Sequence, residues 1–134
     1  MIDASNTAPA RVVVADDDAD IRALVAIAVR RAGIELVADV ATGDAALAAI
    51  REHRPDMVIL DVSMPGMTGL EVTRELRADS SLDGIRIFLL SAGVTDAAIQ
   101  AGRDAGADEY LVKPFSPREL ATRIADSLAA WRAE

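Results

Sequence analysis

VVVADDDAD, residues 12–20, passes from a saturated apolar run straight into three consecutive carboxylates, Asp16, Asp17 and Asp18. The run RVVVA (11–15) reads as a buried strand, so the aspartates stand where the chain leaves the core. A helix start explains one or two of them, because Asp is a favoured N-cap and suits the first helical turn. Asp18 takes that role. Three side by side repel, at roughly 4 kcal/mol for a like pair ~4 Å apart at an effective dielectric near 20. Something positive is therefore expected close to Asp16 and Asp17.

Working outward from this strand, apolar runs alternate with amphipathic stretches. DIRALVAIAVRRAG carries Ile21, Leu24, Val25, Ala28, Val29 and Ala32 at helical spacing and closes on Gly33. ELVADVA is a second strand, and TGDAALAAIREHRP a second helix capped by Thr42 or Gly43. DMVILD is a third strand, apolar until Asp61, followed by the turn-rich SMPGMTG and the helix LEVTRELRAD. GIRIFLLSA is the fourth strand, with a helix from about Asp96 to Ala105, and EYLVK is the fifth. The last helix opens on SPRE, where Ser116 caps, Pro117 takes the first helical position and Glu119 completes a capping box. Its buried stripe is Leu120, Ile124, Leu128 and Trp131. Five strand–helix units in alternation predict a doubly wound α/β domain. It has a five-stranded parallel sheet with helices on both faces, since parallel neighbours need right-handed crossovers. In such sheets ligands sit beyond the carboxyl ends of the strands where the order reverses, between strands 1 and 3 in the flavodoxin-like order 2-1-3-4-5.

Length and charge narrow the function. A chain of 134 residues suits one domain. A net charge of −8 argues against a nucleic-acid surface, which needs clustered Lys and Arg. Without cysteine there is neither a disulfide framework nor a thiolate metal site. No stretch approaches the ~20 apolar residues of a membrane span, and MIDASNTAPAR lacks the apolar core of a signal peptide, so a cytoplasmic protein is the default. Lys113 is the only lysine among fourteen basic residues, and His53 the only histidine, expected to be exposed at the end of the second helix.

The strand ends hold the chemistry. Strand 1 ends in Asp16 and Asp17, strand 3 in Asp61, strand 4 in Ser91, and strand 5 in Lys113 followed by Pro114. A carboxylate cluster without His or Cys is the ligand set of a hard cation, and Mg²⁺ takes one or two carboxylates with waters and phosphate oxygens. Asp61, beside a metal and a lysine, is placed as a nucleophile toward phosphorus. Phosphoryl transfer needs mainly positioning and charge neutralisation, which the cation and Lys113 supply. Ser91 adds a hydroxyl where a phosphoryl group would project.

ADDDADIR, VILDVSMPGMTGLEV, FLLSAG and EYLVKPF together resemble, in order and spacing, the four signature segments of bacterial response-regulator receiver domains, over roughly residues 10–131. The resemblance implies that Asp61 is the phosphorylated aspartate and that Asp16, Asp17, Asp61 and the backbone carbonyl of Ser63 hold Mg²⁺, with Mn²⁺ as a substitute. It implies phosphate contacts from Lys113, Ser91 and Ala92, a switch pair of Ser91 and Tyr110, and a cis bond at Lys113–Pro114. Ala19 and Thr68 depart from the family's frequent Pro and Asp, and Ser91 is the less common alternative to Thr.

The implied partners are a sensor histidine kinase or histidine phosphotransfer protein as donor, and a downstream partner or phosphorylation-dependent homodimer on the face of the fourth helix, fifth strand and fifth helix. No direct nucleic-acid or membrane contact is expected. Residues 1–9 are expected to be a tail, with no effector domain in the chain. The chain is expected to promote only its own phosphorylation and dephosphorylation. One rival reading is a haloacid-dehalogenase-like phosphatase, which uses DxD where this chain has Asp61-Val62-Ser63. The other is a receiver-like interaction module that is never phosphorylated.

Overall fold

The computed structural model describes residues 9–132. The expected tail therefore lies, but for Pro9, outside the described residues. Elements alternate as β1 (Arg11–Ala15), α1 (Ala19–Arg31), β2 (Glu35–Val40), α2 (Gly43–His53), β3 (Met57–Asp61), α3 (Gly69–Ala78), β4 (Arg86–Ser91), α4 (Asp96–Ala105), β5 (Glu109–Val112) and α5 (Pro117–Arg132). All strand pairs are parallel and the order is β2-β1-β3-β4-β5, the flavodoxin-like arrangement expected.

The period of two along each strand divides the core between the two sheet faces. Met57 and Ile59 of β3 join Val12, Val14, Phe88 and Leu90 under α1 and α5, whose Val25, Val29, Leu120 and Ile124 cover them. Val58 and Leu60 point the other way, with Val13, Ala15, Ile87 and Leu89, against Ile50, Val72 and Leu76 of α2 and α3. The near-continuous apolar runs of the three central strands, β1, β3 and β4, thus follow from burial on both sides, while the edge strand β2 exposes Glu35 and Asp39.

Local chemistry sets the helix ends. Asp18 caps α1, its carboxylate accepting from the amides of Asp20 (2.9 Å) and Ile21 (3.2 Å). Thr42, rather than Gly43, caps α2 through the Ala45 amide. At α5 the Glu119 amide donates to Ser116 Oγ at 3.0 Å, the first half of the expected capping box. A complete box stands instead at Thr68 and Glu71, where each side chain takes the other's amide, so α3 starts at Gly69. Asp79 leaves α3 for an extended conformation and caps a 3₁₀ turn, Ser80–Leu82. The fourth strand therefore begins at Arg86, opposite Met57, and not at Gly84. His53 is half-buried rather than exposed, its carbonyl accepting from Arg11 Nη1 at 2.7 Å.

Arg77 ties α3 to the turn between α4 and β5. It donates to the carbonyls of Gly106 (2.9 Å), Ile85 (2.9 Å) and Asp83 (3.2 Å) and pairs with Asp108 (2.9 Å), which also accepts from the Ile87 amide. Gly106 has a left-handed φ of +109°, and a Cβ there would lie 2.6 Å from Arg77 Cγ. Arg77→Ala strands several carbonyls and takes from Asp108 the nearer of its two arginines, and is expected to destabilise the fold by about 2–3 kcal/mol. A urea titration checks this, and a loss within ~0.5 kcal/mol of zero would contradict it. Among the described residues no helix is long and apolar enough to cross a membrane.

Candidate functional site

Four neighbouring parallel strands, β1, β3, β4 and β5, bring their carboxyl ends to one rim. Val14 and Ala15 pair with Ile59 and Leu60, so Asp16 and Asp61 leave the sheet side by side. Ser91 ends β4 opposite Val112, and the Lys113 amide donates to the Ser91 carbonyl at 2.7 Å. Main-chain pairing thus places Lys113 beside β4, one strand away from β3 and Asp61, and its side chain spans that strand to reach the aspartates.

The carboxylates of Asp16, Asp17 and Asp61 each offer an oxygen, and these oxygens lie within 4.8 Å of one another. Lys113 Nζ sits between two of the three, 3.1 Å from Asp16 Oδ2 and 3.2 Å from Asp61 Oδ1. This is the positive partner that the run of aspartates called for. Asp16 is fully buried and Asp61 is 4% exposed, whereas Asp17 is exposed. The turn after β1 is fixed from both sides: the Asp18 amide donates to Asp16 Oδ1 at 2.9 Å, and Arg22 Nη1 donates to the Asp16 carbonyl at 2.8 Å. After β3, the Ser63 amide lies 3.4 Å from Asp61 Oδ1, and the Gly69 amide donates to the Val62 carbonyl. Gly69 permits that turn, since a Cβ there would run into the Asp61 carbonyl.

Burial pushes the Asp61 carboxyl up to about 6; the Asp16 charge adds to the rise and the Lys113 ammonium opposes it. Burial pulls the Lys113 ammonium down, but Asp16 and Asp61 outweigh it and hold the group above its usual range. The sign of the stability effect follows. Because the folded value lies above the unfolded one, ionised Asp61 opposes folding; the penalty grows as pH rises past 3.8 and is complete above about 6. Asp61→Asn is therefore expected to stabilise the metal-free protein by about 2–3 kcal/mol at pH 8. The gain should shrink toward pH 4, as read by urea midpoints in chelator.

The other expected site residues lie beside this cluster. Ser91 is buried, and its Oγ accepts from the Gly93 amide at 3.0 Å, within the turn before α4. Ala92 and Ser63 are exposed at the rim. Tyr110 is half-buried, and its hydroxyl donates to the Gly93 carbonyl at 3.1 Å. The Lys113–Pro114 peptide bond is cis. Arg22 was not singled out as a site residue by the sequence. Arg22, six residues beyond Asp16, has no local signal, since only the turn brings its guanidinium back; Thr68-x-x-Glu71 did carry the capping-box signature.

An acidic, oxygen-only pocket of this kind fits a hard divalent cation, with Lys113 as the standing counter-charge. Fold and rim together define a doubly wound domain built around a buried carboxylate–lysine centre. Residues 12–125 match the response regulator receiver domain, and the chain belongs to that family, the receivers of two-component signalling. It is 43% identical over 114 residues to the DNA-binding response regulator MtrA of Mycobacterium tuberculosis, covering 85% of this chain and 48% of that protein. It is 40% identical over 114 residues to the phosphate regulon transcriptional regulatory protein PhoB of Pseudomonas aeruginosa, covering 84% and 49%. The chain thus spans about half the length of the curated relatives it matches. Among solved structures, chemotaxis response regulator CheY4 of Vibrio cholerae superposes with a TM-score of 0.83 at 34% identity, covering 90% of this chain and 99% of that one. The chain is a regulatory domain, and the phosphatase reading is not favoured.

Proposed function

We propose that Asp61 accepts a phosphoryl group from a phosphohistidine, with Mg²⁺ held by Asp16, Asp17, Asp61 and the Ser63 carbonyl. The observation that carries this reading is the buried Asp61 carboxylate with Lys113 Nζ at 3.2 Å and two further carboxylates beside it. A carboxylate oxygen of Asp61 forms the new bond to phosphorus, the phosphorus–nitrogen bond of the donor breaks, and its electron pair stays on the imidazole nitrogen. Mg²⁺, or Mn²⁺ in its place, would supply neutralisation of the phosphoryl oxygens. Lys113 holds a compact charge at the same place and remains paired with Asp16. Ser91 and the Ala92 amide are the donors assigned to the phosphoryl group on the β4 side.

The donor is a sensor histidine kinase or a histidine phosphotransfer protein, and the chain works in the cytoplasm as a unit of residues 10–131. Ser91 and Tyr110 carry the change to the α4–β5–α5 face, where Ile99, Arg103, Asp108, Glu109, Tyr110 and Arg123 line a shallow cavity. That face takes the downstream partner or a second phosphorylated copy. Incubation with acetyl phosphate and Mg²⁺ tests the reading: intact mass should rise by one phosphoryl group, and chelator should prevent it. Steady turnover of a generic phosphomonoester would support a phosphatase, and an unlabelled protein a pure interaction module.

A further inference from the structure

We propose that Gly102, in the last turn of α4, is a positioning residue for Tyr110, its missing side chain forming the seat of the tyrosine ring. The switch role of Tyr110 is part of the functional reading above, and this inference deepens it.

A Cβ on Gly102 would lie 2.9 Å from Tyr110 Cδ2, 3.2 Å from Tyr110 Cε2 and 3.2 Å from Leu89 Cδ1. Gly102 is buried, and the ring therefore packs against bare helix backbone. Glycine within a helix is unfavourable relative to alanine, and α4, DAAIQAGRDA, is otherwise built largely from good helix formers. A glycine there needs a packing reason, and Tyr110 supplies it.

The far end of the ring is held by a second glycine. The Tyr110 hydroxyl donates to the Gly93 carbonyl at 3.1 Å, while the Gly93 amide donates to Ser91 Oγ at 3.0 Å. A Cβ on Gly93 would meet Ala98 Cβ at 3.1 Å and both Ser91 Oγ and the Tyr110 hydroxyl at 3.3 Å. One residue thus joins the two members of the switch pair, but only while the ring lies in its seat. Any side chain at position 102 tilts the ring out or lifts α4, and either movement breaks the link from Ser91 to the α4–β5–α5 face.

Tyr110 is the only tyrosine, so fluorine NMR of protein labelled with 3-fluorotyrosine reports this side chain alone. Gly102→Ala is expected to move the single resonance toward the shift of the free amino acid. The rise in thermal stability that a Gly→Ala exchange within a helix ordinarily brings should be missing. In a Tyr110→Ala background that rise should reappear, because the clash is gone. A resonance unmoved by Gly102→Ala, with equal stabilisation in both backgrounds, overturns the proposal. If Gly102→Ala does not fold, restoration by Tyr110→Ala supports the seat, and unfolding in both backgrounds overturns it, since the added methyl then meets something other than the ring. Acetyl phosphate labelling is followed separately: an unlabelled wild type would sink the functional reading and leave the ring seat standing.

Discussion

Lys113→Ala is expected to destabilise the metal-free protein by about 3 kcal/mol at pH 7, the scale for breaking a buried ion pair by removing one partner. Among the described residues the ammonium is the counter-charge within 3.2 Å of both Asp16 and Asp61, and the side chains of those residues are 0% and 6% exposed. Removing it leaves two carboxylates facing each other inside the protein. The loss has a ceiling, because Asp61 can escape by taking a proton. In the folded protein it titrates at about 6, so neutralising it at pH 7 costs roughly 1.4 kcal/mol, and the rest of the loss falls on Asp16. The deficit should therefore shrink as pH falls. Millimolar Mg²⁺ should recover more stability in the variant than in the wild type, since the cation replaces the missing charge. Urea unfolding followed by the single tryptophan, Trp131, measures each of these, and a variant as stable as wild type in chelator at pH 7 would contradict the arrangement.

The second large effect is chemical. Asp61→Asn should abolish phosphoryl incorporation from acetyl phosphate, a drop of at least about 100-fold on the scale of removing an essential nucleophile. Asn keeps the volume and one acceptor oxygen, but it lacks the anionic oxygen that attacks phosphorus. Loss of labelling cannot be ascribed to unfolding, because the same substitution is expected to raise stability above pH 6. The functional carboxylate and the fold pull in opposite directions at this position. Label retained in the variant, on Asp17 for example, would displace Asp61 from its assigned role.

The two effects share a cause that a sequence shows only in part. ADDDADIR announces an acidic strand exit, and the lone lysine before Pro114 announces a special position. That Nζ reaches Asp16 and Asp61 at nearly equal distances follows from the successive pairing of β1 with β3, β3 with β4 and β4 with β5. Element boundaries failed where a side chain took over the backbone. Asp79 reads as the end of a helix but caps the next turn, and Thr68 reads as loop but forms a capping box with Glu71. His53 reads as exposed because a histidine at a helix end carries no local sign of what packs beside it, and the fold leaves it half-buried.

The sequence by itself determined the parallel α/β class and the residues at the strand ends, because the period of apolar positions and the placement of helix caps are local properties of the chain, whereas the strand order came with the family resemblance. It could not determine which groups touch. The ion pairs of Lys113, the Arg22 bond to the Asp16 carbonyl, the Arg77 tie and the glycine seat of Tyr110 join positions 6 to 97 residues apart. Such contacts exist only after the sheet register has fixed the distances, and register is a property of whole strands packed between helices, set by which face of each is buried.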